Sequence, residues 1–543
     1  MPIVRGADIV ARSLARAGVK HVFSLSGNHI MPVYDAALDA GLAIVHTRHE
    51  GAAVHMADAW GRLTGVPGVV LLTGGPGHAN GVGALYTALA SESPLVMLSG
   101  HAPLRELGKG SFQEMRQADM AEPVVKASWT AEGSATLGDD IARAMRVASA
   151  GRPGPVHVSL PFDLLEEKTD ADAVPPAEVF SAPAQPLVET AVDAVLELLG
   201  RAERPLILVG SVMSNGRGDA VRRALSAAVG VPVICMESPR GLNDPALGRL
   251  AGVAARADLI VLLGKEPDFT LRFGQQPSID PTCRIAVIDP EPYALQRAKD
   301  VLGEARVVFA AVGDSIATAK RLVQQAAAPK AKGRWSDEVE AALRFRPPEW
   351  PALAASAGAV HPVEVGRAVQ GLIDASPDAI LVSDGGEFGQ WAQACVDAST
   401  RVINGPAGSI GSAIPFALAA KIARPGAQVV AMTGDGAAGF HLLELDTAVR
   451  AGLPVVIVVG NDACWNAEHQ IQLRTYGRAR ALGCELLPTR YDQVALALGC
   501  HGELVTTSAD LPAALARAAA SGKPALVNVM IERLAAPTYS AAS

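Results

Sequence analysis

The chain has 543 residues, 49% of them hydrophobic, and a formal net charge of −8. That length suits about three domains, and the charge gives no general attraction for nucleic acid or acidic lipid. No run approaches the roughly 18 apolar residues of a membrane span, the N-terminal MPIVRGADIVARSLARAG lacks a signal-peptide core, and the six cysteines form no CxxC pair, so a reduced, cytoplasmic setting is expected.

The first 165 residues alternate strands and helices. Short apolar runs read as strands at His21–Leu25, Ala43–Thr47, Val69–Thr73 and Leu95–Ser99, and helical spacing appears at Met31–Ala40, Gly51–Thr64 and Ala79–Ala90. Gly151 to Val158 reads as a loop running into a strand. Residues 166–188, rich in Asp, Glu, Ala and Pro, read as a linker. A second α/β block has strands near 205–209, 231–235, 259–263 and 285–289. Residues 326–358 read as another linker with a helical middle, and a third block carries strands near 379–383, 429–433, 455–459 and 525–530. The expected fold class is α/β: three doubly wound parallel-sheet domains over 1–170, 188–330 and 355–535.

The third block holds the most informative array. Gln428 to Thr433 is a strand, Gly434-Asp435-Gly436 follows as a tight turn, Phe440 to Ala451 has helical spacing, and Val455 to Val459 is a second strand ending in Asn461-Asp462. This βαβ unit makes the strands parallel. Asp435 and Asp462 therefore lie at the same carboxyl edge, on backbones about 4.8 Å apart if the strands are neighbours. Two carboxylates that close repel unless a cation lies between them, and oxygen ligands at a tight turn suit Mg²⁺ completed by phosphate oxygens. A competing reading takes Gly434 to Gly439 (GDGAAG) as the dinucleotide fingerprint GxGxxG of a nicotinamide-dependent oxidoreductase. An aspartate inside that fingerprint would oppose the phosphates.

In the first block, polar residues again follow strands: Asn28 and His29, Glu50 at a helix start, His78 within Gly74 to His78, and Phe112 with Gln113. Open α/β sheets bind ligands at that edge. Taken singly, Glu50 reads as an ordinary acidic first-turn residue.

Asp435 followed 27 residues later by Asp462 resembles the thiamine-diphosphate motif of the acetolactate synthase, benzaldehyde lyase and 2-hydroxyacyl-CoA lyase superfamily. The resemblance covers nearly the whole chain. It implies N-terminal pyrimidine-binding, central, and C-terminal diphosphate-binding domains. It implies Mg²⁺ held by Asp435, by Asp462 where the family usually has Asn, and by the backbone carbonyl of Cys464. Gly434, Gly436 and Ala437 would border the diphosphate.

Thr47 to Ala53 resembles the family segment around the cofactor glutamate, which makes Glu50 the proton partner of the coenzyme pyrimidine. Leu25 to His29 resembles the benzaldehyde lyase turn with its active-site histidine, and Gln113 matches the glutamine at the reacting carbonyl. By the same resemblance the Gly408 carbonyl accepts from the coenzyme amino group and Ile410 is the wedge that bends it; read alone, Ile410 is ordinary core packing. Asn28, His78, Phe112, Trp465 and Glu468 are substrate-pocket candidates. Gly389 stands where the lyase has a pocket tyrosine. In relatives the central domain takes FAD, ADP, part of CoA, or nothing. Each coenzyme lies between two chains, so a homodimer or homotetramer is expected. The implied activity is a thiamine-diphosphate- and Mg²⁺-dependent carbon–carbon lyase or carboligase acting on a small-molecule acyloin, 2-hydroxyacyl-CoA or 2-oxo acid. Acetolactate synthase is the runner-up, and a non-catalytic scaffold is a third reading that the presence of Glu50 opposes.

Overall fold

The computed structural model describes residues 3–216, 218–326, 333–353 and 358–539. It has two compact units. The first comprises Met1–Pro183 with Leu418–Ala423 and Leu443–Ala451; the second comprises Ala184–Ala417, Arg424–Leu442 and Gly452–Ser543.

The first unit is built on a six-stranded parallel sheet. Its spatial order is Ala43–His46, His21–Leu25, Gly68–Leu72, Leu95–His101, Pro155–Pro161, Ala127–Thr130. Strand side chains alternate between faces. Val69, Leu71, Val96, Leu98, Val156 and Val158 fall on one face, in a core shared with Ile9, Leu14 and Ile141 of flanking helices. On the other face, Gly81 of the helix Pro76–Ala90 sits against Leu72 and Met97, where a Cβ would come within 2.5 Å of the leucine. Burial on both faces is why these strands read as continuous apolar runs.

The second unit holds two parallel sheets. The five-stranded one runs Val233–Cys235, Pro205–Val209, Leu259–Leu263, Arg284–Asp289, Val307–Val312. Leu206, Leu208, Ile260 and Leu262 enter one core and Ile207, Val209, Leu259 and Val261 another, so helices cover both faces. The six-stranded one runs Thr400–Ile403, Ile380–Ser383, Val429–Gly434, Val456–Asn461, Ala525–Met530, His501–Val505. Numbered in chain order, both six-stranded sheets read 2-1-3-4-6-5. Each therefore reverses direction between its first and third strands, which opens a crevice at their carboxyl ends. Among the described residues, no helix is long and apolar enough to cross a membrane.

The structure corrects several local readings. Gly434-Asp435-Gly436 is not a separate turn: the strand runs through Gly434 and the helix Asp435–His441 starts at once. The expected single helix over 440–451 is broken near Leu442–Leu443, with a second helix at Glu444–Arg450. The linker 166–188 contains a strand, Lys168–Asp170, that pairs antiparallel with Ile3–Arg5. The helical middle of the 326–358 linker is Arg334–Leu343; residues 327–332 and 354–357, and with them the boundary at 355, lie outside the described residues.

Candidate functional site

In the first unit, the polar residues gather around the turn after Gly68–Leu72. Thr73 Oγ1 lies 3.4 Å from His29 Nδ1. Gly27 lets the two strand ends close up, since a Cβ there would meet the Thr73 Cβ at 2.4 Å. Burial pulls the His29 pKa down. Gly75, at φ +59°, packs on Gln113, whose own backbone is left-handed at φ +58°. That conformation is uncommon for a residue with a side chain and is held only by its surroundings. The buried Gln117 supplies the support: its amide donates to the Gly100 carbonyl and to Ser159 Oγ, both at 3.1 Å, and accepts the Gly75 N–H at 2.8 Å. Phe112 is 68% exposed and its ring stacks on His29 at 5.9 Å. Asn28 is exposed beside it.

Glu50 is the first residue of the helix Glu50–Thr64 and is 9% exposed. Its Oε2 accepts from Asn80 Nδ2 at 3.1 Å, and its Oε1 is 3.5 Å from where a Gly77 Cβ would sit. His49 caps the helix by accepting the Gly51 N–H at 2.9 Å, and the buried Glu444 carboxylate accepts the Arg48 N–H at 3.0 Å. The turn is thus fixed on both sides of Glu50, and the turn at 73–77 touches His29, Glu50 and Gln113.

His78 departs from expectation. It lies inside the helix Pro76–Ala90, fully buried, with Nδ1 2.9 Å from Ser99 Oγ and its ring 4.6 Å from His157. Burial pushes its pKa down to about 4. A neutral imidazole packed between strands is a core residue and does not line a pocket.

In the second unit, Val429–Gly434 and Val456–Asn461 are neighbours, with Gly434 opposite Gly460. Asp435 is buried at the start of its helix; Oδ2 accepts the Cys464 N–H at 3.2 Å and Tyr491 OH donates to its carbonyl at 2.9 Å. Asn461 has a different task from its neighbour. Its amide donates to Thr489 O and Asn528 Oδ1 and accepts the Ala463 N–H, which occupies all of its side chain in holding the loop. Asp462 carries its carboxylate beside Asp435; burial raises its pKa, and the charge of Arg533 and the backbone N–H groups of Asp462 and Cys464 oppose that rise. Arg533 donates to the Asp462 carbonyl at 2.9 and 3.2 Å and pairs with Glu485, so the loop is clamped from outside.

Burial lifts the Asp435 carboxyl to about 6. Burial, then the Asp435 charge, lifts Asp462 to about 7. Two adjacent carboxyls, each taken out of water, resist ionisation. Burial pushes the Cys464 thiol up to about 12. Among the described residues no group of three His, Cys, Asp or Glu side chains could hold a metal. Gly436 has a packing reason as well: a Cβ would meet the Trp465 indole at 2.5 Å. Ala437 is buried beside it, and Glu468 is exposed on the next helix, Asn466–Tyr476.

The glycine-rich loop carrying Gly408 and Ile410 is held from beneath by Asp384, at the end of the sheet's first strand. Its Oδ1 accepts the N–H groups of Gly385 and Gly411, both at 2.9 Å, and its Oδ2 accepts Thr433 Oγ1 at 3.0 Å and the Ala413 N–H at 3.3 Å. Asn404 Nδ2 donates to the Ser409 carbonyl at 2.9 Å, and His441 Nδ1 lies 2.7 Å from the Gly411 carbonyl. Gly408, at φ +69°, is exposed and Ile410 is half-buried, so Ile410 is not closed into the core. Asp384, Asn80, Gln117 and Arg533 were not legible as site residues. Asp384 alone had a signal, a polar residue directly after a strand.

The family model for the thiamine pyrophosphate enzyme N-terminal TPP-binding domain matches residues 4–120, and that for the C-terminal TPP-binding domain matches residues 384–529. The chain is 36% identical over 537 residues, 96% of its length and 95% of the relative's, to a probable acetolactate synthase of Mycobacterium bovis, and equally to an acetolactate synthase large subunit of Mycobacterium tuberculosis. It is 31% identical over 579 residues, 97% of its length and 90% of the relative's, to human 2-hydroxyacyl-CoA lyase 2.

Proposed function

Because the chain belongs to the thiamine pyrophosphate enzymes, we propose that Asp435, Asp462 and the Cys464 carbonyl hold Mg²⁺ for a thiamine diphosphate bound by this protein as lyase or carboligase. The coenzyme supplies the electron sink for making or breaking a carbon–carbon bond beside a carbonyl. Gly434, Gly436 and Ala437, at a helix start, border the diphosphate. The Gly408 carbonyl and Ile410 orient the coenzyme rings. Glu50 holds and returns a proton through its carboxylate, with Asn80 fixing the rotamer. His29 and Gln113 move and stabilise protons on the substrate hydroxyl. Phe112, Asn28, Trp465 and Glu468 border the substrate.

The observation that carries this reading is the pair of carboxyls, Asp435 buried and Asp462 half-buried, at the carboxyl edge of two adjacent parallel strands. The nicotinamide alternative is dropped: the family is that of thiamine enzymes. The relatives support both an acyloin or 2-hydroxyacyl-CoA lyase and an acetolactate synthase. We assign Glu50 and Asp435 to opposite chains of a homodimer or homotetramer, with the coenzyme at a two-fold interface. The three domains 1–170, 188–330 and 355–535 remain part of the proposal, as does a cytoplasmic setting.

The test is a mass-spectrometric product screen with pyruvate, 2-hydroxyacyl-CoAs and benzoin, run with and without coenzyme and Mg²⁺. Product from at least one donor, dependent on both additions, is expected. Turnover that ignores both additions would contradict the proposal.

A further inference from the structure

The loop that carries Gly408 and Ile410 has a polar pair on its rim that none of the roles above uses. On one side, Pro239 lies 3.8 Å from where a Gly408 Cβ would sit. On the other, Gly385 packs on Ile410 and the Ser409 carbonyl, at 2.8 and 2.9 Å from its own missing Cβ. The next residues outward on the two sides meet. Arg240 Nη2 is 3.5 Å from Glu387 Oε2, the arginine side chain being 35% exposed and the glutamate 9%.

Glu387 sits in the first turn of Gly386–Cys395. Its Oε1 accepts the Ala536 N–H at 3.2 Å. Its Oε2 is buried and accepts no hydrogen bond among the described residues. A buried carboxylate oxygen without a donor calls for an explanation, and the neighbouring guanidinium is in ion-pair range but too far for a good hydrogen bond. Arg240 is anchored at its backbone, where its N–H donates to Ser238 Oγ at 3.2 Å, while its fork stays open. A guanidinium has five N–H donors and can serve two carboxylates at once.

We propose that Arg240, aimed by Glu387, takes the carboxylate of a 2-oxo acid at the edge of the Gly408 loop and so sets specificity for an acidic substrate. A single fork matches a single carboxylate in bidentate fashion. The inference rests on the reading that the Gly408 loop borders the coenzyme.

The probes are oxamate and oxamide, which have nearly the same shape and differ in carrying a carboxylate or a neutral amide. Each is titrated calorimetrically into protein loaded with thiamine diphosphate and Mg²⁺. Oxamate is expected to bind at least about tenfold tighter than oxamide, as a charge-assisted pair allows. Arg240→Gln should bring the ratio to within about twofold with oxamide affinity unchanged, and Arg240→Lys should retain part of the preference. Coenzyme affinity, measured separately, should be the same in all three proteins. With coenzyme bound, a wild-type ratio near one, or a ratio that survives Arg240→Gln, overturns the assignment. Failure of the wild-type protein to take up the coenzyme would overturn the functional reading itself, and this inference with it.

Discussion

Replacing Glu50 with glutamine is expected to slow turnover by about 10² to 10⁴-fold, the range of a lost proton-transfer group, while coenzyme affinity changes little. The glutamine keeps the shape, the hydrogen bond from Asn80 and the packing at Gly77. It loses only the ability to take and return a proton. The direct readout is hydrogen–deuterium exchange at the reactive carbon of bound coenzyme, followed by quench and NMR. Exchange at the wild-type rate in Glu50→Gln would remove Glu50 from the chemistry. A large loss of coenzyme affinity would make it a binding residue instead.

The second large effect concerns Asp462, the carboxylate standing where the family usually has asparagine. In the folded protein burial raises the Asp435 carboxyl to about 6 and the Asp462 carboxyl to about 7, against about 3.9 for an aspartate in an unfolded chain. Between those limits the folded state binds more protons than the unfolded chain, so stability falls as pH rises through that window. The melting temperature of apo protein is therefore expected to be higher near pH 5 than near pH 7.5 as far as this pair decides it. Mg²⁺ with coenzyme should restore stability at the higher pH by binding only the folded state. Asp462→Asn removes one of the two charges, so the apo protein should be more stable than wild type near pH 7.5 and should lose most of this dependence. Asp462→Ala should weaken Mg²⁺-dependent coenzyme retention by at least about tenfold, as expected for a lost direct ligand. Parallel pH–melting profiles for wild type and Asp462→Asn would show that the pair carries no such strain.

Strands buried on both faces were legible because they are rich in apolar residues: Pro205–Val209, Leu259–Leu263 and Ala525–Met530 stand where their runs of Val, Ile and Leu placed them. The edge strands Ala127–Thr130 and His501–Val505 are mostly half-exposed, mix polar with apolar residues and went unread. Val307–Val312 is apolar throughout and half-exposed, and it too went unread. Asp435 and Asp462 were legible as candidates because each follows a strand directly, whereas Glu50, separated by three residues from the strand Ala43–His46, stood out only through the family resemblance. Asn80 and Gln117 were not, because each acts through a fold that brings it to residues 30 to 42 positions away. His78 was misread because sequence gives its distance from a strand but not the depth of the helix start that swallows it.

The account stands on one cation between two aspartates. A crystal structure of the protein grown with thiamine diphosphate and Mg²⁺ tests it most directly. The expected result is a cation about 2.1 Å from a carboxylate oxygen of Asp435, from one of Asp462 and from the Cys464 carbonyl, with diphosphate oxygens completing its shell. Coenzyme bound elsewhere, or bound here with no cation joining the two carboxylates, would contradict it.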